Sequence, residues 1–394
     1  MPKINLLYVI TKLELGGAQK QLLSLIAGLD KSRYAVVLFS AHQGLLFKEA
    51  ASIPGVSIHA SRFLERPVNP LKDLIAFFEI YWFIRKNKFH VVHTHSSKAG
   101  ILGRLAARLA KAPSIIHTVH GWSFNEYQPA FVRFVYIWLE RVCARFSDAV
   151  IVVSLFDKQK GCMLKIGGGS LYRLIRYGID YHEFRPQQED VRSKARERLG
   201  IRDNELLVGM AACFKPQKNP LDFIRIASLI SEYCVSEKLP CRVRFLLVGD
   251  GVLRGRIEKK IGESGLGSQV ILAGWRFDMP ELYAAMDVLV LTSLWEGLPV
   301  VVLEAMRLEV PVVVTNTGGV AEVVKNGVTG FLVAAREPAL MARQVSALLK
   351  NDALRKRLGQ ASREALGDSF SAGKMVLETA GMYESILKTK GIRE

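Results

Sequence analysis

The hydrophobic pattern of this chain alternates short β-branched runs with longer stretches whose apolar residues recur at helical spacing. The short runs fall at 4–10, 34–40, 91–95, 115–119, 149–153, 206–211, 243–248, 270–273, 288–291 and 310–314. Between them, segments such as 22–29 and 102–109 repeat leucine, isoleucine or alanine at the intervals that mark one face of a helix. Strands that alternate with helices in this way predict parallel sheets in an α/β fold.

The length and one break in the pattern indicate two domains. With 394 residues, the chain is too long for one ordinary hydrophobic core and long enough for two. The break lies at 177–190, which holds Gly178, Pro186 and a polar run from Gln187 to Asp190. We predict Rossmann-like, doubly wound domains over 1–184 and 185–369. The last segment, 370–394, has a helical pattern that would allow it to cross back onto the first domain, but the pattern does not decide this.

The charge is strongly basic and uneven. The net charge is +17, and no acidic residue occurs from Ile80 to Asn125. Such a field suits nucleic acid, an anionic bilayer surface or a phosphorylated substrate, although a basic solvated surface is also compatible with it. A nucleic-acid partner is not expected, because the sequence has neither aromatic-interleaved basic motifs nor a recognition helix.

The cysteines and the hydropathy indicate the cellular compartment and the kind of membrane contact to expect. Five cysteines are scattered without a C-x-x-C pair, which favours a reducing cytoplasm over a disulfide framework or a zinc site. No apolar run approaches the roughly 18–20 residues of a membrane span, so any membrane contact is expected to be peripheral. The stretch 74–85 reads either as a membrane-surface patch or as a helix buried in the first domain; its aromatic residues are Phe77, Phe78, Tyr81, Trp82 and Phe83.

Candidate chemistry in the first half follows predicted strands. Gly16 and Gly17 come between the first strand and its helix, where a helix start offers free N–H groups to an anion, unless the pair is only a tight turn. His120 leaves the strand at 115–119 and is a candidate catalytic side chain. His93 and His95 point the same way from one strand, but a third metal ligand is not apparent, so no metal site is predicted.

In the second half, two further segments follow strands. Lys215 and Lys218 fall at a predicted helix start and would neutralise a diphosphate, unless they belong to a solvated turn. The strongest segment is 293–304, in which a strand runs into a loop and then an apolar helix. Glu304 in that helix needs hydrogen-bond donors, which a sugar diol supplies. The loop presents a second carboxylate and exposed amides; its residues are Glu296, Gly297, Leu298 and Pro299.

Taken together and in order, these motifs resemble the retaining glycosyltransferases of family 4, which have the GT-B fold of two facing Rossmann-like domains with the donor in the cleft. The Glu–seven residues–Glu pattern formed by Glu296 and Glu304, with an internal Gly-x-Pro, is the specific feature. The likeness covers nearly the whole chain; its supporting segments are 16–19, 93–96, 119–121, 177–180, 248–251 and 318–322.

The resemblance implies a nucleotide-diphosphate sugar, UDP-linked by expectation, as the donor. His120 would hydrogen-bond the donor sugar, and Gly17 would approach the reacting centre through its amide. Lys218 would bind the diphosphate and stabilise the leaving group. Glu304 would accept hydrogen bonds from the ribose, and Glu296 would contact the transferred sugar. The amides around Gly297 and Leu298 would complete the site.

The chain departs from the family at one position. Many relatives carry arginine five or six places before the lysine, whereas Cys213 occupies the place five before Lys218 here. A cysteine cannot replace a guanidinium, so Lys215 is a candidate to supply the missing charge. The sequence has no Asp-x-Asp, so catalysis without a metal or other cofactor is expected.

The resemblance further implies a hexosyltransferase that acts with retention on a glycan acceptor. A polyprenyl-diphosphate-linked acceptor in surface polysaccharide, lipopolysaccharide or capsule synthesis would suit the basic first domain. The expected place of action is the cytoplasm, at the inner face of the cytoplasmic membrane. Alternatives are another GT-B sugar-nucleotide enzyme, namely an epimerase, a phosphorylase or a transferase to a soluble acceptor, and a non-enzymatic basic binding protein.

Overall fold

A computed structural model describes residues 3–185, 189–236 and 242–392 of the chain. It divides into two compact units, Met1–Gly178 with Ser371–Glu394 and Ile179–Phe370. Residues 179–184 fall in the second unit, in which the Ile179 amide donates to the Phe370 carbonyl oxygen at 2.8 Å. Of the linker expected from the sequence, Pro186, Gln187 and Gln188 lie outside the described residues, as does Cys241.

The first unit contains a seven-stranded parallel sheet with the order β3-β2-β1-β4-β5-β6-β7. Its strands are β1 (Ile4–Val9), β2 (Tyr34–Ala41), β3 (Val56–Ser61), β4 (Val91–His95), β5 (Ser114–Val119), β6 (Ala149–Val152) and β7 (Tyr172–Leu174). The hydrophobic pattern did not predict β3 and β7. Both are edge strands that leave several side chains half exposed, so neither produces the continuous apolar run of a buried parallel strand.

Helices of the first unit cover the two faces of this sheet. They are α1 (Gly17–Gly28), α2 (Phe47–Ala51), α3 (Pro70–Asn87), α4 (Ser97–Leu109), α5 (Ala130–Ala144), α6 (Leu155–Met163) and α15 (Ala372–Thr389). Helices α1 and α15 share one hydrophobic cluster with the sheet, whereas α3 and α4 share another. The C-terminal helix therefore packs into the first unit, where the Tyr383 hydroxyl lies 2.9 Å from the Tyr8 hydroxyl.

The second unit contains a six-stranded parallel sheet with the order β10-β9-β8-β11-β12-β13. Its strands are β8 (Glu205–Ala211), β9 (Arg242–Val248), β10 (Val270–Gly274), β11 (Val288–Leu291), β12 (Val312–Thr315) and β13 (Phe331–Val333). Its helices are α7 (Glu189–Arg198), α8 (Pro220–Ser236), α9 (Arg254–Glu263), α10 (Met279–Ala285), α11 (Val300–Arg307), α12 (Val320–Val323), α13 (Pro338–Lys350) and α14 (Asp352–Leu366). The short edge strand β13 was missed from the sequence.

Local signals fix the ends of the longer helices. In α3, the Asn69 side chain accepts from the Lys72 amide, Pro70 occupies the first turn, and Lys88 closes the helix in the left-handed conformation. The side chain of Ser371 caps α15 in the same way. Within the described ranges, no helix is long and apolar enough to cross a membrane.

Candidate functional site

In the first unit, the carboxyl ends of β1, β4 and β5 bring a helix start and several histidines to one edge of the sheet. Helix α1 begins at Gly17, after Gly16 in an extended conformation. No side chain caps this helix and no acidic residue lies in its first turn. The backbone N–H groups and the helix dipole at this end therefore favour an anionic or strongly polar ligand.

His120 follows β5 and is held at both ring nitrogens. Its Nδ1 lies 2.7 Å from the Tyr177 hydroxyl, and its Nε2 lies 2.9 Å from Nδ1 of His95. Burial lowers the pKa of His120 to about 3, so the ring is neutral near pH 7. A donor hydroxyl that binds to His120 would have to take the place of one of these two partners.

The sequence did not indicate the partners of His120. Positions 95, 120 and 177 have no local pattern in common, and they meet only because β4 and β5 are neighbours in the sheet while the chain returns past them after β7. Tyr177 lies one residue before the end of the first stretch of the first unit. A role of this residue can be recognised only from the folded chain.

His93, the other member of the possible metal pair, is part of a buried hydrogen-bond network. Its Nδ1 lies 2.5 Å from the Tyr383 hydroxyl of α15, and its Nε2 lies 2.7 Å from Oγ1 of Thr118. Nδ1 therefore ties α15 to the sheet, and Nε2 links β4 to β5. Across the residues that the structure describes, no three His, Cys, Asp or Glu side chains are grouped to hold a metal ion.

In the second unit, the two lysines do not lie in the first turn of a long helix. Lys218 ends a single 3-10 turn, Pro216–Lys218, and α8 begins only at Pro220. This difference arises because Asn219 adopts a left-handed conformation that separates the turn from the helix. Lys215 lies just before the turn, and its amide donates to the Cys213 carbonyl oxygen at 2.8 Å.

Lys218 is paired with Glu296 of the loop after β11. The Lys218 ammonium contacts Oε1 of Glu296, and the Ser293 hydroxyl donates to the same oxygen at 2.6 Å. The Glu296 side chain is only 7% exposed. This cation and this carboxylate are 78 residues apart in the chain, and the sequence did not predict their contact.

Backbone hydrogen bonds fix the turn against the loop. The Leu294 amide donates to the Gln217 carbonyl oxygen at 2.7 Å, and the Gln217 side-chain amide donates to the Trp295 carbonyl oxygen at 2.8 Å. The Thr292 hydroxyl donates to the Lys218 carbonyl oxygen at 2.9 Å. These bonds hold the lysine and the loop in a preorganised arrangement.

The segment 297–299 is braced from the next loop. The Gly319 amide donates to the Gly297 carbonyl oxygen at 2.7 Å. Gly318 has φ +57°, and a Cβ there would lie 2.0 Å from the Glu296 carbonyl oxygen, so only glycine fits. Leu298 and Pro299 are buried, and Pro299 directly precedes α11.

Glu304 lies on α11 and is 7% exposed. The hydroxyl of Tyr283, from α10, donates to its Oε2 at 2.8 Å. Burial and the neighbouring carboxylate raise the pKa of Tyr283 well above its ordinary value, so the hydroxyl keeps its proton and remains a donor. Sequence reasoning missed Tyr283, which is a single aromatic residue in an apolar helix and has no motif of its own.

The two halves of the chain match two family descriptions. Residues 15–168 match "Glycosyltransferase Family 4", and residues 191–365 match "Glycosyl transferases group 1". Among curated relatives, the chain is 33% identical over 331 residues to UDP-Gal:alpha-D-GlcNAc-diphosphoundecaprenol alpha-1,3-galactosyltransferase of Escherichia coli, covering 82% of this chain and 83% of the relative. It is 25% identical over 334 residues to the capsular polysaccharide biosynthesis glycosyltransferase CapM of Staphylococcus aureus, covering 82% and 84%.

Solved structures share the fold. The chain resembles Anabaena Alr3699/HepE, solved in complex with UDP and glucose, with a TM-score of 0.81, 22% identity and coverage of 97% of this chain and 100% of that one. A glycosyltransferase from Rickettsia africae matches with a TM-score of 0.78, 21% identity and coverage of 98% and 100%. These likenesses confirm the predicted GT-B class of fold, built from two Rossmann-like parallel-sheet units.

Proposed function

Because this chain belongs to the family 4 glycosyltransferases, we propose that it transfers a hexose from a UDP-sugar to a lipid-linked glycan during surface polysaccharide synthesis. Two observations in the second unit carry this proposal: the preorganised Lys218–Glu296 pair and the nearly buried Glu304 carboxylate held by Tyr283. One cation and two nearly buried carboxylates match the diphosphate, sugar and ribose of such a donor.

The nucleotide end of the donor is assigned to Glu304. Its carboxylate would accept hydrogen bonds from the two ribose hydroxyls while Tyr283 continues to hold Oε2. A buried carboxylate is stable only with donors around it, which favours a diol as its ligand. The UDP in the solved complex of the Anabaena protein supports uridine as the base to test first.

The diphosphate is assigned to Lys218, in exchange for Glu296. In the structure the two charges neutralise each other. A bound diphosphate would attract the ammonium away from Glu296, which would then accept hydrogen bonds from the transferred sugar. The leaving diphosphate gains negative charge as the glycosidic bond breaks, and a fixed cation with loop amides stabilises that charge best in the transition state. Lys215 is proposed as a second cation.

His120 is assigned to the sugar, together with the helix-start amide of Gly17. Because its ring is neutral, His120 would bind a sugar hydroxyl by a hydrogen bond. It would add no second positive charge to that of Lys218. We propose that transfer retains the anomeric configuration, by reaction on one face of the sugar, and that it needs no metal ion. The lack of an Asp-x-Asp pair supports the second point.

The acceptor is assigned by similarity. The Escherichia coli relative is named for a GlcNAc-diphosphoundecaprenol acceptor. A polyprenyl-linked acceptor lies in a membrane, so this proposal requires the chain to work in the cytoplasm at the inner surface of the cytoplasmic membrane. Transfer to a soluble acceptor and epimerisation of the sugar nucleotide are the enzymatic alternatives.

A transfer assay with UDP-galactose, UDP-glucose and UDP-GlcNAc tests the proposal directly. We expect one donor to be consumed only when GlcNAc-diphosphoprenol is present, with equal rates in EDTA and with a product that NMR shows to keep the donor's configuration. Donor conversion without acceptor would indicate an epimerase, and an inverted linkage would exclude retention. A thermal-shift screen of nucleotide diphosphates identifies the base independently, since a ligand of the folded state raises Tm.

Replacing Tyr283 by phenylalanine is expected to weaken UDP binding about three- to tenfold, because a typical net hydrogen bond is worth roughly 0.5–1.5 kcal/mol and this one acts on UDP only through Glu304. The KM for the donor should rise while kcat changes little, since Tyr283 acts through the ground-state position of Glu304. Calorimetry with UDP measures the effect. Tyr172→Phe, which removes another buried hydroxyl bonded at 2.5 Å to a carbonyl, is the control. Unchanged UDP affinity in folded Tyr283→Phe would contradict the assignment.

A further inference from the structure

Helix α3 of the first unit presents an apolar stripe to solvent. Leu71, Leu74, Phe78 and Trp82 recur at three- and four-residue spacing and are all exposed, with Trp82 at 64%. The other aromatic residues of this helix, Phe77, Tyr81 and Phe83, are half buried. The two interpretations of 74–85 left open by the sequence are thus both partly right, since the same helix has a packed side and an exposed aromatic side.

Helix α5 presents a second stripe of the same kind, which the sequence analysis did not single out. Phe131, Phe134 and Trp138 lie at positions i, i+3 and i+7 and are 75%, 62% and 53% exposed. Both α3 and α5 pack against α4. The two stripes therefore lie on the same side of the sheet, one on each flank of α4. We call these seven residues the α3–α5 face.

The carboxylates of the two helices are all engaged within the first unit. Asp73 pairs with Lys98 at 2.5 Å, and Glu140 pairs with the buried Arg104 at 2.7 Å. Glu79 accepts from the Ser61 hydroxyl at 2.6 Å and lies 2.9 Å from His59. The exposed side chains of these helices are consequently uncharged or basic.

A basic rim borders the face. Helices that connect parallel strands run opposite to them, so the C-terminal ends of α3, α4 and α5 share one edge of the sheet. Exposed cations cluster at these ends: Arg85, Lys86, Lys88, Arg108, Lys111 and Arg145. In the loop after α5, Asp148 is already paired with Lys390 at 2.5 Å.

We propose that the α3–α5 face docks onto an anionic lipid bilayer, with its aromatic residues in the interfacial layer and the basic rim against the headgroups. Tryptophan and phenylalanine on an amphipathic surface bordered by lysine and arginine suit this interface, and each cation near it adds attraction. A second copy of the chain is a poorer occupant, because each copy carries a net charge of +17. This proposal rests on the proposed function, because the bilayer is where a lipid-linked acceptor would lie. Vesicle binding needs neither donor nor acceptor, so the membrane proposal and the proposed function can be refuted separately.

Flotation with phosphatidylglycerol and phosphatidylcholine vesicles tests the proposal. We expect the full chain to bind the anionic vesicles and not the neutral ones. The triple variant Phe131→Ser/Phe134→Ser/Trp138→Ser should bind at least about tenfold more weakly, because binding scales with buried apolar area. Phe277→Ser, which alters an aromatic side chain 56% exposed in the second unit, is the matched control and should bind as the wild type does.

Tryptophan quenching by brominated lipid separates insertion from simple charge attraction. Trp82 and Trp138 are exposed, Trp122 is 7% exposed, and the partly exposed Trp275 and Trp295 belong to the second unit, which the proposal does not place at the bilayer. Quenching by anionic brominated vesicles should therefore fall to near background in Trp82→Phe/Trp138→Phe although that variant still binds. Undiminished quenching in the double variant would overturn the proposal. A failure of the wild type to bind anionic vesicles would also overturn it, as would self-association that the triple variant abolishes.

Discussion

Replacing Lys218 with alanine is expected to lower turnover roughly a hundredfold or more, because removing one donor from a comparable anion-stabilising site typically costs about 2.7–4 kcal/mol. The substitution removes the cation assigned to the leaving diphosphate. It also leaves Glu296 nearly buried, with the Ser293 hydroxyl still bonded to the same oxygen. Steady-state rates with saturating donor measure the effect on the transition state separately from donor binding.

A control is needed because breaking a partly buried ion pair also destabilises the fold. Arg192→Ala removes a partly buried 2.7 Å pair with Asp287 in the same unit and should alter Tm without altering turnover. Wild-type-like turnover of folded Lys218→Ala would refute its role. Lys215→Ala is informative beside it: a clear loss would support Lys215 as the replacement for the missing arginine, and near-normal turnover would remove it from the site.

The first unit is expected to lose on the order of 5 kcal/mol of stability between pH 7.5 and pH 5.5, because three buried histidines and one partly buried histidine resist protonation. Burial lowers the pKa of His93 and of His120 from 6.5 to about 3, and it lowers the pKa values of His95 and His117 in the same direction. Between pH 6.5 and 3 the unfolded chain binds protons that the folded chain does not. The contribution of these histidines to the free energy of unfolding is therefore fully present above about pH 6.5, and it is lost as the pH falls towards 3.

Hydrogen exchange of the amides in β4 and β5 at the two pH values measures this effect for the first unit alone, which matters because a chain of two units need not unfold in one step. His93→Gln retains a donor and an acceptor for Tyr383 and Thr118. It should reduce the pH-dependent difference by about 1.4 kcal/mol, the share of one histidine. His182→Gln, at an exposed position of the second unit, is the control. Equal stability at both pH values would contradict this account of the histidine cluster.

Much of the fold was predictable because its central strands are covered on both faces. Buried parallel strands such as β6, β11 and β12 form nearly continuous apolar runs, and the helices between them keep one apolar face. The edge strands β3 and β7 were not predicted because polar residues interrupt their apolar runs, and β13 was not predicted because it has only three residues. The segment 293–304 could be predicted to bind a ligand, because burying a carboxylate in an apolar helix costs free energy unless a ligand or other donors bind it.

The sequence by itself determined the class of fold, the family and the residue types that suit a diphosphate and a sugar, since these follow from periodicity and from motifs continuous along the chain. Only the tertiary structure decided that Lys218 pairs with Glu296, that Tyr283 donates to Glu304, and that His95 and Tyr177 hold His120. The physical reason is that parallel sheets place the ends of distant strands side by side, and separation along the chain carries no information about which side chains then meet.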